Sequence, residues 1–189
     1  MVTRYREGEQ AAFSLLVDRY QRELFHFLFR FLGKRAAAED VFQDTFLQIH
    51  LSIDSFDVDR RFKPWLFTIA ANKARDHLRR KSQRPLAPLS APLDASQDQG
   101  RQFIDLVESQ LILPDEQVEQ QEVRDLVRQA VEALPEHLRE ILLLAYFQRL
   151  AYAEIAEVLG IPLGTVKSRL HSAVASFAQE WKRNYQTGL

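Results

Sequence analysis

The sequence predicts an all-α protein of two small helical domains joined by a flexible linker, and three observations carry that expectation. Apolar residues recur at helical spacing in both halves, no segment of useful length alternates with a period of two, and four of the seven prolines (Pro85, Pro88, Pro92, Pro114) fall between residues 85 and 114. The expected division is a domain over residues 1–84, an acidic proline-containing linker over 85–117 and a second domain over 118–189, with no internal repeat. A short helical piece is expected within the linker at 103–107.

In the first domain Phe13, Leu16, Val17, Tyr20, Leu24, Phe27, Leu28 and Phe31 form the stripe of one long amphipathic helix, and Gly33 supplies its stop. A second helix, from about Ala37, carries Val41, Phe42, Thr45, Phe46 and Ile49 on one face and Asp40, Gln43, Asp44 and Gln48 on another. Residues 52–59 break the pattern as a loop. Pro64 suits a first helical turn and opens the third helix, which buries Leu66, Ile69 and Ala70 and presents Thr68, Asn72, Arg75 and Arg79.

The second domain repeats this grammar. Val123, Leu126, Val127, Ala130 and Val131 form one stripe, ending at Leu134-Pro135, and Leu138, Ile141, Leu142 and Ala145 form the next. Two shorter helices, about 152–159 and 163–178, flank Gly160-Ile161-Pro162. Ala156, Gly160 and Val166 have helix-turn-helix spacing: a small residue at the helix crossing, a glycine for the left-handed turn and a β-branched residue packing the second helix. That helix presents Thr165, Lys167, Ser168, Arg169, His171 and Ser172, with no acid from 163 to 178. A helix between rows of phosphates needs such a face, because a carboxylate there would be repelled.

The chain of 189 residues holds 25 Lys plus Arg, 26 Asp plus Glu and no cysteine. Absence of cysteine excludes disulfides, thiolate zinc sites and a cysteine nucleophile. The amino terminus lacks a signal-peptide pattern and no apolar run approaches the ~20 residues of a membrane span, so the expected location is the cytoplasm without membrane insertion. His26, His50, His77, His137 and His171 form no ligand-spaced pair, and no glycine-rich phosphate loop is present. No catalytic residue, metal or cofactor is therefore expected.

The net charge of -1 conceals blocks of opposite sign. Residues 36–59 hold six acids and no base, residues 60–84 nine bases and one acid, and residues 85–125 nine acids and two bases. Such blocks imply separate surfaces for different partners. In the basic block, cations are interleaved with Phe62, Trp65 and Phe67, with Phe56 just before it; that combination suits unpaired nucleic acid. Trp65 and Phe67 read as core.

Two motif blocks also carry a family resemblance. Asp40-Val41-Phe42-Gln43-Asp44-Thr45-Phe46-Leu47 and Trp65-Leu66-Phe67-Thr68-Ile69-Ala70-Ala71-Asn72, with Asp76 and Arg79, resemble conserved region 2 of bacterial sigma factors of the extracytoplasmic-function (ECF) group of the sigma-70 family. The stretch from Leu134-Pro135 to Phe177 resembles region 4, its helix-turn-helix. The resemblance implies a non-enzymatic factor that binds core RNA polymerase and directs promoter recognition, DNA melting and transcription initiation. It places Asp40, Gln43, Asp44 and Leu47 against the polymerase β′ clamp, with Asp44 where the family more often has Glu. It places Phe56, Asp57, Arg60, Arg61, Lys63, Asn72, Arg75, Arg79 and Arg80 at the promoter -10 element, and Thr165, Lys167, Ser168, Arg169, His171 and Ser172 at the -35 element. Asp76 either touches DNA or orients Arg79 or Arg80. The β flap and an anti-sigma factor are further implied partners, and the linker is either a soluble spacer or a segment threading toward the RNA exit channel. The competing reading is an ordinary helix-turn-helix regulator acting on duplex DNA without polymerase, which leaves the acidic helix and the 65–79 block without a role.

Overall fold

A computed structural model describes residues 1–83 and 118–187, and all regular structure among them is helical. A short α1 (Val2–Arg6) precedes α2 (Ala11–Leu32) and α3 (Arg35–Ser52), which ends in a 3-10 turn (Ile53–Ser55), and α4 (Phe62–Gln83) follows. After the undescribed stretch come α5 (Val118–Glu132), α6 (Glu136–Leu142) with a wide π turn (Leu143–Phe147), α7 (Tyr152–Leu159) and α8 (Leu163–Thr187). The linker, including the helical piece expected at 103–107, lies outside the described residues.

Helices α2, α3 and α4 form a three-helix bundle around aromatic rings. Phe27 stands edge-on to Phe67 with centroids 5.2 Å apart, and Phe42 meets Phe46 at 5.0 Å. Edge-to-face contacts of this kind add to the area that the rings bury. Gly33 ends α2 in the left-handed region (φ 68°), where its N–H bonds the Phe29 carbonyl at 2.9 Å. Thr45, fully buried on α3, satisfies its hydroxyl on the Val41 carbonyl at 2.6 Å. Pro64 lies inside the first turn of α4 rather than at its start, because the first four N–H groups of a helix have no intrahelical partner.

Three elements depart from the sequence expectation. Arg6 on the unexpected α1 donates from Nε to the Ile53 carbonyl at 2.9 Å and from Nη2 to the Phe56 carbonyl, pinning the turn that leads to the basic loop. The π turn arises because the Gln148 and Leu150 N–H groups reach back to the Leu143 and Leu144 carbonyls, at 3.0 and 3.2 Å. Helix α8 also runs on to Thr187, past the expected end near 178.

The two helical groups pack against each other, α4 against α7 and α2 against the 143–147 turn, and their buried apolar residues form one continuous cluster. Polar contacts fasten the seam. Arg139 donates to the Phe31 carbonyl at 3.0 Å, Gln148 Nε2 donates to the Glu23 carbonyl at 3.3 Å, and the Arg30 guanidinium lies 4.4 Å from the Phe147 ring centroid.

Candidate polymerase and nucleic-acid interfaces

The first surface is the outer face of α3. Burial of Val41, Phe42, Thr45, Phe46 and Ile49 turns Asp40, Gln43, Asp44 and Leu47 to solvent as one stripe. Leu47 is 57% exposed and Leu51, one turn further on the same face, 70%. Leu51 lies inside the expected helix, which gives way to the loop at residue 52, where α3 ends, yet sequence reasoning left it out of the stripe; its i+4 spacing from Leu47 was the available signal. Apolar side chains bracketed by carboxylates form a surface suited to a protein partner with basic and apolar groups.

The second surface is the loop after the 3-10 turn together with α4. Phe56, expected at the -10 element, does not face outward: it is only 6% exposed, with its ring 5.6 Å from Phe62 and 4.8 Å from Trp65. An aromatic three residues after the buried Ile53 closes the bundle, so Phe56 shapes the loop rather than presenting a stacking face. Lys63 is likewise drawn inward. Its ammonium group pairs with Glu23 at 2.5 Å and sits 5.8 Å from the Phe67 centroid.

The other predicted residues line the outside. Asp57 Oδ1 accepts the Asp59 N–H at 3.1 Å, a local turn that orders the loop tip. Arg60 and Arg61 are exposed at the loop end, and Asn72, Arg75, Arg79 and Arg80 follow along one side of α4. Arg75 Nη2 donates to Asn72 Oδ1 at 2.5 Å, and Arg79 pairs with Asp76 at 3.0 Å, so the aspartate orients that arginine. Arg80 borders a groove shared with Asp44, Asn72, Asp76 and His77, where the basic surface meets the α3 face.

The third surface is the helix-turn-helix. Gly160 takes φ 64°, and the Pro162 carbonyl accepts from Thr165 and Val166 N–H at 2.9 and 3.1 Å, turning the chain into α8. Ile155, Leu159, Val166, Leu170 and Ala173 are buried between the helices. Lys167, Ser168, His171 and Ser172 are therefore outward and exposed, whereas Thr165 and Arg169 are half-buried. The Ser168 hydroxyl already donates to the Thr165 carbonyl at 3.1 Å.

Between the second and third surfaces lies Glu140 on α6, 4% exposed, with Oε1 3.7 Å from Arg75 Nε and without a hydrogen-bond partner. Burial pushes its carboxyl up to about 7, although the charges of Arg75 and Arg169 pull it down. Among the described residues no group of His, Asp and Glu is arranged to hold a metal, and no helix is long and apolar enough to cross a membrane.

An acidic, leucine-bearing stripe, a basic loop and helix beside it and a helix-turn-helix with a basic outer face are the three surfaces of the chain. Comparison with known proteins identifies its class. Residues 16–84 match the family model for sigma-70 region 2, and residues 124–176 match that for sigma-70 region 4. The ECF RNA polymerase sigma factor SigW of Bacillus subtilis is 34% identical over 90% of this chain and 89% of its own. The ECF RNA polymerase sigma-E factor of Escherichia coli K12 is 33% identical over 92% and 88%. Among solved structures, CnrH in complex with the cytosolic domain of CnrY superposes with a TM-score of 0.63 at 27% identity, over 94% of this chain and 92% of that one. The sigma factor RpoE of Bartonella quintana, in complex with the anti-sigma factor NepR, shares the fold with a TM-score of 0.66 at 22% identity, over 90% and 97%.

The chain belongs to the sigma-70 family, in its extracytoplasmic-function group. It is an RNA polymerase-associated promoter-recognition factor of transcription initiation.

Proposed function

We propose that each surface carries one step of initiation, with no bond made or broken by this chain. Asp40, Gln43, Asp44 and Leu47, extended by Leu51, dock residues 1–84 on the β′ clamp. Asp57, Arg60, Arg61, Asn72, Arg75, Arg79 and Arg80 engage the -10 element as it opens, while Phe56 and Lys63 hold the loop in shape. Captured unpaired bases offset an unstacking cost of a few kcal/mol. Lys167, Ser168, His171 and Ser172, with Thr165 and Arg169 at the edge, read the -35 duplex from the major groove, and residues 118–189 also rest on the β flap. Residues 85–117 tether the two parts. The factor acts in the cytoplasm, where an anti-sigma factor restrains it.

The single observation carrying this reading is the segregation of an acidic, leucine-bearing stripe from the arginine-rich edge of the same small bundle. A regulator that bound only duplex DNA would need neither. Reconstitution with core polymerase tests it: transcripts should start at defined promoters across a genomic library. Random initiation would refute it.

A further inference from the structure

The basic loop borders a concavity that α4 beyond its first residue does not line. Val58 and Arg60 of the loop, with Phe62 at the start of α4, enclose about 340 Å³ against Val2 of α1 and Arg19 and Tyr20 of α2. None of Asn72, Arg75, Arg79 and Arg80 lines this space; Asn72 and Arg80 line the separate groove between α3 and α4. Its α1 wall is held in place by the rest of the bundle. The Tyr5 hydroxyl and His50 Nδ1 share a hydrogen bond of 2.7 Å, Arg6 Nε donates to the Ile53 carbonyl at 2.9 Å, and Val2 is buried.

The lining has the chemistry of a base site. Buried Leu16 and Phe56 give it an apolar floor, and the half-buried rings of Tyr20 and Phe62, with centroids 5.3 Å apart, give it aromatic walls. Arg60 is engaged with Glu157, whereas Arg19 is exposed and has no ion-pair partner among the described residues. Aromatic faces beside an available cation suit one unpaired base and its phosphate, and the volume is at the small end of the about 300–1,000 Å³ of ligand sites. We propose that this concavity takes one unpaired base of the opened promoter strand, with Tyr20 stacking on the base and Arg19 meeting its phosphate. The proposal rests on the reading that the loop meets that strand: Arg60 belongs both to the loop's DNA set and to the lining, so a strand held along the loop passes the opening. Burial raises the Tyr20 hydroxyl above its ordinary value against the pull of Arg19 and Arg61, so it stays protonated and can donate to a base edge.

The full-length protein with a fluorescein-labelled single-stranded oligo-dT tests this by anisotropy, since stacking on aromatic side chains tolerates any base. The same oligonucleotide carrying iodouracil at one position, irradiated and analysed by mass spectrometry, reports which side chain lies against the base. A cross-link at Tyr20 is expected. Tyr20→Leu, which keeps an apolar side chain against Phe62, should lose that cross-link and bind about 5-fold or more weakly, while Tyr20→Phe should keep both. Arg19→Gln, an exposed change that leaves the packing alone, should lower the log-log salt slope by about 0.7. Arg22→Gln, the same change in charge at an exposed position outside the lining, should leave the slope as it is. Cross-links confined to residues 65–83 and α8, or unchanged affinity in Tyr20→Leu together with an unchanged slope in Arg19→Gln, overturn the proposal. Arg75→Gln/Arg79→Gln separates it from the reading beneath it. Weaker binding by that variant with no cross-link at Tyr20 would keep the α4 surface and remove the pocket; unchanged binding with the Tyr20 cross-link intact would remove the α4 surface and leave the pocket standing.

Discussion

Replacing Glu140 by Gln should stabilise this protein at pH 8 and barely change it at pH 5. The carboxyl is buried, its Oε1 lacks a hydrogen bond, and burial raises it from 4.5 to about 7. A shift near 2.5 units corresponds to about 3 kcal/mol at 1.36 kcal/mol per unit. Because the folded-state value is the higher one, the group contributes fully to stability below pH 4.5. That contribution fades as pH rises through 4.5 to 7 and is gone above about 7, where both folded and unfolded chains are ionised. Glutamine keeps the shape and never ionises. The variant should therefore gain up to about 3 kcal/mol at pH 8, or roughly 6–12 °C in Tm for a chain of this size, and under about 1 kcal/mol at pH 5. Urea titrations of both proteins at the two pH values read the difference directly. His26, held down to about 4 by burial, penalises the fold as pH falls below 6.5; that effect is common to both proteins and cancels. A loss of stability for Glu140→Gln at pH 8 would refute the reasoning, since it would mean that the ionised carboxylate gains more from Arg75 and Arg169 than burial costs it.

Three further outcomes separate structural from contact roles. Phe56→Ala should cost about 3–5 kcal/mol in thermal or urea unfolding, as for a large aromatic removed from a core; a change under about 0.5 kcal/mol would restore Phe56 to the solvent-facing set. Asp40→Arg/Asp44→Arg should leave Tm unchanged, because both side chains are exposed, and weaken core-polymerase binding by about ten-fold or more in a pull-down or anisotropy titration. Retained affinity would move the docking surface elsewhere. Lys167→Ala should weaken binding to upstream duplex and lower the log-log salt slope by about 0.9, whereas an unchanged slope would make Lys167 a solvated residue.

Much of this fold was readable because its signals are local. Gly33 and Gly160 both take the left-handed conformation that helix ends require, and the helical stripes of α2, α3, α7 and α8 follow from period alone. The burial of Phe56 was not legible for a specific reason. An aromatic just before a basic run has the composition of a stacking platform, but its burial depends on Phe62 and Trp65 across the loop, which residue type does not encode. Arg6 was missed because its partners are carbonyls about fifty positions away, and the register of two distant segments leaves no trace in either one's pattern. Leu51 was missed although its pattern was present: it stands one turn beyond Leu47 inside the expected helix, past the carboxylates that marked the stripe.

The charge blocks show where local reading stops and three-dimensional pairing begins. From the sequence, 36–59, 60–84 and the helix-turn-helix read as surfaces meeting separate external partners. The structure keeps that segregation on α3, whose acidic stripe faces outward, yet it closes part of the basic block onto the chain's own Glu140, Glu154 and Glu157. Those glutamates sit in a region with nearly balanced charge, so no block count singles them out; only the packing of α4 on α7 does. A near-neutral total thus has two origins in this molecule. One is cancellation between segregated surfaces, and the other is pairing of arginines with glutamates of the second helical group. Charge counted along the chain therefore overstates the unpaired cations that this edge presents.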